Sequence, residues 1–294
     1  MKMDAVIAYV NCTDEKWRKN YENTFHSSYD KNRFRDLGTI ELCIDSIRFY
    51  APFIKNIFLV VQNESEIKFD VSKWDVKVVT HDQFIPKQFL PTFNSCTIET
   101  FFHNIEELDE KFLYFNDDVF LTNPVSERDF FINGLPVYNL KTYRIEKLKQ
   151  IFDNDTLTHH CICSNSFNII TNSKNPRYYT SRHVPYSYLK SYNKLVYNKH
   201  RAEIEKRITN KRSAINTNIM LYITSAIKDK IGTDIPRRVL YLKTTGSPNI
   251  IKSRIIESPY YCCCINDVGD PSISDQEFSR IIKEAYITKK HSGF

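Results

Sequence analysis

The run Phe112-Leu113-Tyr114-Phe115-Asn116-Asp117-Asp118 ends an apolar stretch in two adjacent carboxylates. Large apolar side chains in a row read as a buried strand, and ligands of open α/β sheets sit beyond the carboxyl ends of the strands. Hard divalent cations take oxygen ligands, and Mg²⁺ or Mn²⁺ is commonly held by one or two carboxylates plus substrate phosphates. Two like charges side by side are unfavourable unless a cation or a basic group neutralises them. The pair therefore points to a metal, although a solvated turn would carry the same residues. Cys264-Ile265-Asn266-Asp267 is a second apolar stretch with polar ligand types at its end. Asn266 and Asp267 are candidates to complete a metal shell, and a plain loop is the simpler account of that motif alone.

Thr180-Ser181-Arg182-His183-Val184-Pro185 holds a histidine that Pro185 keeps out of a helix. Imidazole titrates near neutrality, so His183 is a candidate general base, with an ordinary structural histidine as the alternative. Cationic residues gather at Arg33-Phe34-Arg35-Asp36 and Lys211-Arg212. Guanidinium offers planar, bidentate contacts to phosphate, whereas a lone surface arginine is usually only solvated. His159-His160-Cys161-Ile162-Cys163 and Cys262-Cys263-Cys264 hold zinc-ligand types. Neither has Cys-x-x-Cys spacing, and neighbouring cysteines on a strand face opposite ways, so buried free thiols are the simpler expectation.

Composition removes several classes. Glycine is scarce, 6 in 294 residues, and neither GxGxxG nor a Walker pattern occurs, which counts against dinucleotide-binding and P-loop chemistry. Any phosphate must then be held by metal, Arg, Lys and hydroxyl groups. Hydrophobic residues make up 41% of the chain, enough for a buried core. The net charge of +6 suits an anionic small molecule, a glycan or a membrane surface. Its basic residues are dispersed, so no nucleic-acid partner is expected. The chain opens on a strand-like run and has no apolar stretch of about 18 residues. A cytoplasmic protein with reduced thiols is expected, and the Lys/Tyr-rich segment Tyr186 to Arg207 allows a peripheral contact at the inner membrane face.

Asp4 to Val10, Asn56 to Val61, Val76 to Val79 and Phe112 to Phe115 are short apolar strands. Between them, Thr39 is a plausible N-cap for a helix over Ile40 to Tyr50, and Asn94 or Ser95 can cap one running to Ile105. Strands alternating with helices indicate an α/β domain with a mainly parallel sheet. From Asp129 the pattern turns irregular: Ser166 to Ile170 is strand-like, while Tyr186 to Lys206 and Ser213 to Lys230 look helical. Arg238 to Leu242 returns to the sheet, and Ser274 with Glu277 forms a capping box that opens a last helix to about Tyr286. The expected organisation is one catalytic domain, with an α/β core over 1–128 and 232–294 and a mostly helical insertion over 129–231.

Four blocks in this order resemble the Stealth family of hexose-1-phosphoryl transferases, which includes bacterial capsule polymerases and the catalytic subunit of N-acetylglucosamine-1-phosphotransferase. The first is Asp4 to Asp14. The second runs from Arg33-Phe34-Arg35-Asp36 through Tyr50-Ala51-Pro52 and Leu90-Pro91-Thr92-Phe93-Asn94-Ser95 to Asn116-Asp117-Asp118-Val119-Phe120. The third is Arg182-His183-Val184-Pro185, and the fourth is Cys264-Ile265-Asn266-Asp267 with the helix after it. Departures occur at Tyr9 and Asn11-Cys12, where the family often has Trp and Gly, and at Tyr186, where a second His is frequent.

The resemblance implies a GT-A-like fold and a nucleotide-sugar donor, usually a UDP-sugar. It implies transfer of the sugar with its phosphate to a glycan or lipid-linked oligosaccharide hydroxyl, so that UMP leaves. On that reading Asp118, Asp267 and Asn266 hold Mg²⁺ or Mn²⁺ with Asp117 as a supporting neighbour, Arg212 neutralises the transferred phosphoryl group and His183 is the base. Asn11 and Asp14 face the nucleoside, Arg35 and Asp36 shape the same pocket, and Asn94 and Ser95 line its floor. An ordinary glycosyltransferase that releases UDP and a non-enzymatic glycan-binding protein are the competing readings.

Overall fold

The computed structural model describes residues 3–30, 33–144, 154–172, 177–181, 183–266 and 273–292. Its centre is β1 (Met3–Ala8), flanked by β2 (Ile54–Val61) and β4 (Lys111–Asn116), with β3 (Val76–Thr80) beyond β2; all these pairings are parallel. Parallel strands covered on both faces need apolar side chains on both, and Met3, Ala5, Val6 and Ile7 are all fully buried. Asp4 breaks that run and is satisfied: its carboxylate accepts from the Asn56 backbone N–H at 3.1 Å, Asn56 Nδ2 at 2.9 Å and the Asp109 N–H at 2.8 Å.

The fold class is as expected, α/β with a mainly parallel central sheet. Helices α1 (Glu15–Phe25), α2 (Ile40–Tyr50) and α3 (Ser95–Thr100) connect its strands. A second sheet has the order β12 (Leu240–Lys243), β13 (Cys262–Asn266), β5 (Val119–Leu121). Only Asp117 and Asp118 separate β4 from β5, so the chain leaves one sheet and enters the other at the carboxylate pair. The Ile265 N–H bonds the Asp118 carbonyl at 2.9 Å and the Leu121 N–H bonds Ser46 Oγ on α2 at 2.9 Å. α7 (Pro248–Ile256) and α8 (Asp275–Ser292) pack against each other, and Tyr286 and Lys290 of α8 bond Asp45 on α2, each at 2.7 Å.

Residues 129–231 hold more strand than expected. β6 (Phe131–Ile132) and β7 (Leu135–Tyr138) form a small sheet with β11 (Thr233–Asp234), and β8 (Leu140–Arg144) pairs with β9 (Arg177–Ser181). Tyr186 does not start a helix. It opens β10 (Tyr186–Leu189), antiparallel to β4 at the edge of the main sheet, and α5 (Lys190–Glu205) follows. Pro185 imposes extended backbone before it, and the Tyr186 and Tyr188 rings pack on Tyr114 and Phe112 at 5.8 and 5.4 Å between centroids. Conversely, Ser166 to Ile170 is not a strand but the end of α4 (Asn154–Thr171). Its buried residues include His160, Cys163, Ser164, Phe167 and Ile170, which recur with helical spacing. α6 (Met220–Lys228) starts seven residues after Ser213, which lies in a loop.

The remaining differences are at caps and ends. Thr39 makes no side-chain cap bond, whereas Asn94 Oδ1 does cap α3, accepting from the Cys96 N–H at 3.2 Å. The helix that it caps stops at Thr100 instead of reaching Ile105. Ser274 Oγ accepts from the Glu277 N–H at 3.3 Å, as a capping serine does. β12 returns to the second sheet, not the first. Among the described residues no helix is long and apolar enough to cross a membrane.

A separate aromatic cluster fixes the segment before α2. Trp17 and Tyr21, one turn apart on α1, are buried with Phe93. The Trp17 ring meets Tyr29, Phe34 and Phe93 at 5.4, 5.0 and 5.4 Å, so the loop carrying Arg35 and Asp36 is held against α1. After it, Gly38 has φ +71° and a Cβ there would lie 2.4 Å from Ser279 Oγ, which leaves glycine as the residue that fits. Replacing a buried tryptophan by alanine costs about 3–5 kcal/mol. We expect Trp17→Ala to lower the unfolding free energy in urea by that amount, and a loss below about 1 kcal/mol would mean that the cluster does not hold this segment.

Candidate active site

Asp118 lies at the junction of the two sheets, between β4 and β5. Its Oδ2 is 3.4 Å from His183 Nδ1 and 3.4 Å from Cys264 Sγ. Its Oδ1 is buried without a hydrogen-bond partner, an arrangement that costs free energy unless a donor or cation completes it. One ligand atom each from Asp118, His183 and Cys264 lies within 4.8 Å of the others, and this is the only such group among the described residues. Cys264 reaches Asp118 because β13 pairs antiparallel with β5, setting Cys264 opposite Val119.

Carboxyl groups crowd together here. Burial pushes the Asp117 carboxyl well above the usual carboxylate range, and the neighbouring Asp118 and Asp36 push it further. Asp36 is fixed from both sides: its Oδ2 accepts from Tyr9 OH and its Oδ1 from the Gly38 N–H, each at 2.7 Å. Burial alone would lower the His183 pKa, but the Asp118 carboxylate outweighs it and the net shift is upward. Burial likewise raises the Cys264 thiol well above its ordinary value, with Asp118 adding to it.

Arg212 is the cation on the other side. Its Nη2 is 3.2 Å from His159 Nδ1. Guanidinium only donates, so Nδ1 is the acceptor and Nε2 carries the hydrogen, which faces Cys163 Sγ at 3.6 Å. Burial, then Arg212, holds the His159 pKa down at about 3, consistent with a neutral ring. The loop that carries Arg212 is pinned at several points. Asn94 Nδ2 donates to the Thr209 carbonyl at 2.9 Å and to Asn216 Oδ1 at 3.0 Å; Asn165 Nδ2 donates to the Ala214 and Asn216 carbonyls at 2.8 and 3.0 Å. Asn94 is thus spent on the Arg212 loop, with Ser95 half-buried beside it.

The other expected site residues sit apart from Asp118 or are engaged locally. Asn11 is buried against Glu66, donating from Nδ2 to its carbonyl at 2.9 Å, while its Oδ1 accepts from the Thr13 N–H and hydroxyl. Asp14 caps α1 through the Trp17 N–H at 2.9 Å and pairs with Lys68 at 3.2 Å. Arg35 pairs with Asp275 in the first turn of α8 at 3.5 Å. Asn266 ends β13, half-buried, two residues past Cys264. Asp267 and Arg182 lie outside the described residues.

Glu99 was not singled out from the sequence. It lies one turn after Ser95 in α3, and its Oε1 accepts from Tyr114 OH at 3.1 Å. Burial raises its pKa to about 7 against the pull of Arg212, Tyr114 and His183. The i, i+4 spacing from Ser95 in a helix capped by Asn94 was the available signal. The zinc alternatives did not assemble as written. His160 turns away to Tyr178 OH at 2.7 Å, all eight cysteines are free, and only Cys264 of the second cluster meets a carboxylate and an imidazole.

Residues 33–138 match conserved region 2 of the Stealth proteins. The chain is 30% identical to receptor polysaccharide phosphotransferase WefC of Streptococcus gordonii over 96% of this chain and 95% of that one. It is 27% identical to capsular polysaccharide phosphotransferase WcwK of Streptococcus pneumoniae, covering 98% and 96%. The match to capsular polysaccharide phosphotransferase LcbA of Neisseria meningitidis, at 31% identity, spans 50% of this chain and 43% of that relative. Among solved structures, galactosyltransferase LgtC in complex with donor and acceptor sugar analogs aligns over 97% of this chain and 96% of its own, at 10% identity and a TM-score of 0.47. With a full-length relative at this identity and a conserved region that contains Asp36, Asn94, Asp117 and Asp118, the chain belongs to the Stealth family.

Proposed function

We propose that this protein transfers a sugar-1-phosphate from a nucleotide-sugar, in the first instance a UDP-sugar, to a glycan hydroxyl. The product is a phosphodiester between two sugars, UMP leaves, and the reaction serves capsule or exopolysaccharide synthesis. The whole chain would act as one catalytic domain. The observation that carries this reading is the convergence of Asp118, His183 and the Arg212 loop, from three distant parts of the chain, on the carboxyl end of β4. The phosphotransferase names of the relatives WefC and WcwK support it.

Phosphoryl transfer asks for positioning and charge neutralisation more than for covalent chemistry. The unpartnered Asp118 Oδ1 fits a divalent cation, which Asp118 would hold with Asp267 and Asn266 and support from Asp117. Bound there, Mg²⁺ or Mn²⁺ would neutralise the pyrophosphate of the donor. Arg212 would pair with the oxygens of the phosphoryl group in transit. His183 is oriented by Asp118 through Nδ1, which leaves Nε2 to take the proton of the attacking hydroxyl. The proton then leaves with the imidazole, the acceptor oxygen gains the phosphorus, and the bond to UMP breaks.

Incubated with a panel of UDP-sugars, a glycan acceptor and Mg²⁺ or Mn²⁺, the protein should yield UMP by ion-exchange chromatography, and EDTA should stop turnover reversibly. UDP as the sole nucleotide product would replace this reading with glycosyl transfer, and full turnover in EDTA would remove the metal. Asp118→Ala should abolish UMP release, and His183→Ala should slow it at least about a hundredfold, the scale of a general base. A near-normal rate for the His183 variant would take that residue out of the base role.

A further inference from the structure

Asp118 serves two donor sets. The adjacent Asp117 is an oxygen neighbour, the donor type a hard ion takes. His183 and Cys264 offer nitrogen and sulfur, and thiolate sulfur selects borderline and soft ions over Mg²⁺. A tetrahedral ion with bonds of about 2.0–2.1 Å to O and N and about 2.3 Å to S spaces its donors about 3.3–3.6 Å apart. Asp118 Oδ2 stands at 3.4 Å from both His183 Nδ1 and Cys264 Sγ, and all three atoms lie within 4.8 Å of one another. Two of the three donor–donor distances therefore already match, and the third lies within 4.8 Å. The site is reachable, since the His183 and Asp118 side chains are 40% and 29% exposed, while Cys264 is fully buried behind them.

The surroundings favour a cation. Asp118 and Glu99 act on His183 against Arg212 as the opposing guanidinium, and Asp36 adds to the field at the neighbouring Asp117. Asp118 Oδ1 is buried and unpartnered.

We propose that Asp118, His183 and Cys264 form a site for a thiophilic divalent cation of the Zn²⁺ class, and that filling it switches the transfer reaction off. The ion binds Asp118 Oδ2, His183 Nδ1 and Cys264 Sγ; the Nδ1 proton gives way as the imidazole takes its Nε2–H tautomer, and the Cys264 thiol releases its proton to solvent as the metal–sulfur bond forms. The carboxylate that orients the base and the imidazole itself are then both committed to the ion. The inhibitory part rests on the reading of His183 as the base; the binding part does not.

Cobalt(II) reports the site without any substrate. Titrated into the full chain free of other metals, Co²⁺ should produce a near-ultraviolet thiolate-to-cobalt charge-transfer band together with the visible bands of a tetrahedral ion. Zn²⁺ should displace it. Cys264→Ser and Cys264→Ala should both lose the charge-transfer band, and two variants guard against one failing to fold. No band in the wild-type protein, or a band that survives in either variant, overturns the proposal. In the Mg²⁺-supported reaction, the Zn²⁺ concentration that halves the rate should rise at least about tenfold in Cys264→Ser relative to that variant's own zinc-free rate, since even outer-shell changes weaken metal sites about 10–100-fold. An unchanged zinc sensitivity would overturn the inhibitory role. The cobalt spectrum is read on protein alone, so its failure leaves UMP release untouched, and a UDP product leaves the spectrum untouched.

Discussion

Two carboxylates side by side at the point where the chain changes sheets set the terms for everything around them. In water two such charges are tolerated; half-buried, they are not unless a proton, a cation or hydrogen-bond donors compensate. The fold uses the proton at Asp117, whose carboxyl is driven up by burial, by Asp118 and by Asp36. At Asp118 it uses His183 and Cys264 on one oxygen and leaves the other without a partner. The backbone gives the pair no room to escape, because β4 is paired on both sides and the Asp118 carbonyl is bonded to β13. A cation is the compensation that this geometry fits.

The rest of the architecture can be understood as holding opposing charge at a fixed distance. Arg212 comes from a loop, and loops are ordinarily the softest part of a fold. Here Asn94 and Asn165 tie that loop to α3 and α4 through hydrogen bonds, Asn216 bonds the Arg207 carbonyl, and the neutral His159 accepts from the guanidinium itself. The aromatic cluster around Trp17 does the same for Asp36 with dispersion and burial. Both devices lie outside the sheet, yet both act on the end of β4.

The sequence told more about local runs than about encounters. The apolar strand into Asp117-Asp118 was legible because its signal is contiguous. The capping of α3 by Asn94 and of α8 by Ser274 was legible because cap chemistry spans three residues. Tyr186 to Leu189 was misread since a four-residue strand of Tyr, Ser and Leu has too few alternations to outweigh the helical stretch that follows. The end of α4 was misread for the opposite reason, as Phe167, Ile169 and Ile170 mimic a strand when Ile162 and Cys163 one turn earlier are left out. The meeting of His183 with Asp118, 65 residues away, follows from β10 closing the sheet beside β4. That of Cys264 follows from an antiparallel register which no spacing rule announces. The engagement of Asn11 with Glu66, 55 residues on, was hidden in the same way.

The central claim is that the end of β4 holds a divalent cation through Asp118. Anomalous diffraction from crystals grown with Mn²⁺ tests it most directly. The account predicts an anomalous peak about 2.1 Å, the usual distance for a small hard cation, from an Asp118 carboxylate oxygen, and its loss in Asp118→Asn. An ordered Asp118 with no peak beside it at saturating Mn²⁺, or a peak that persists in the variant, would contradict it.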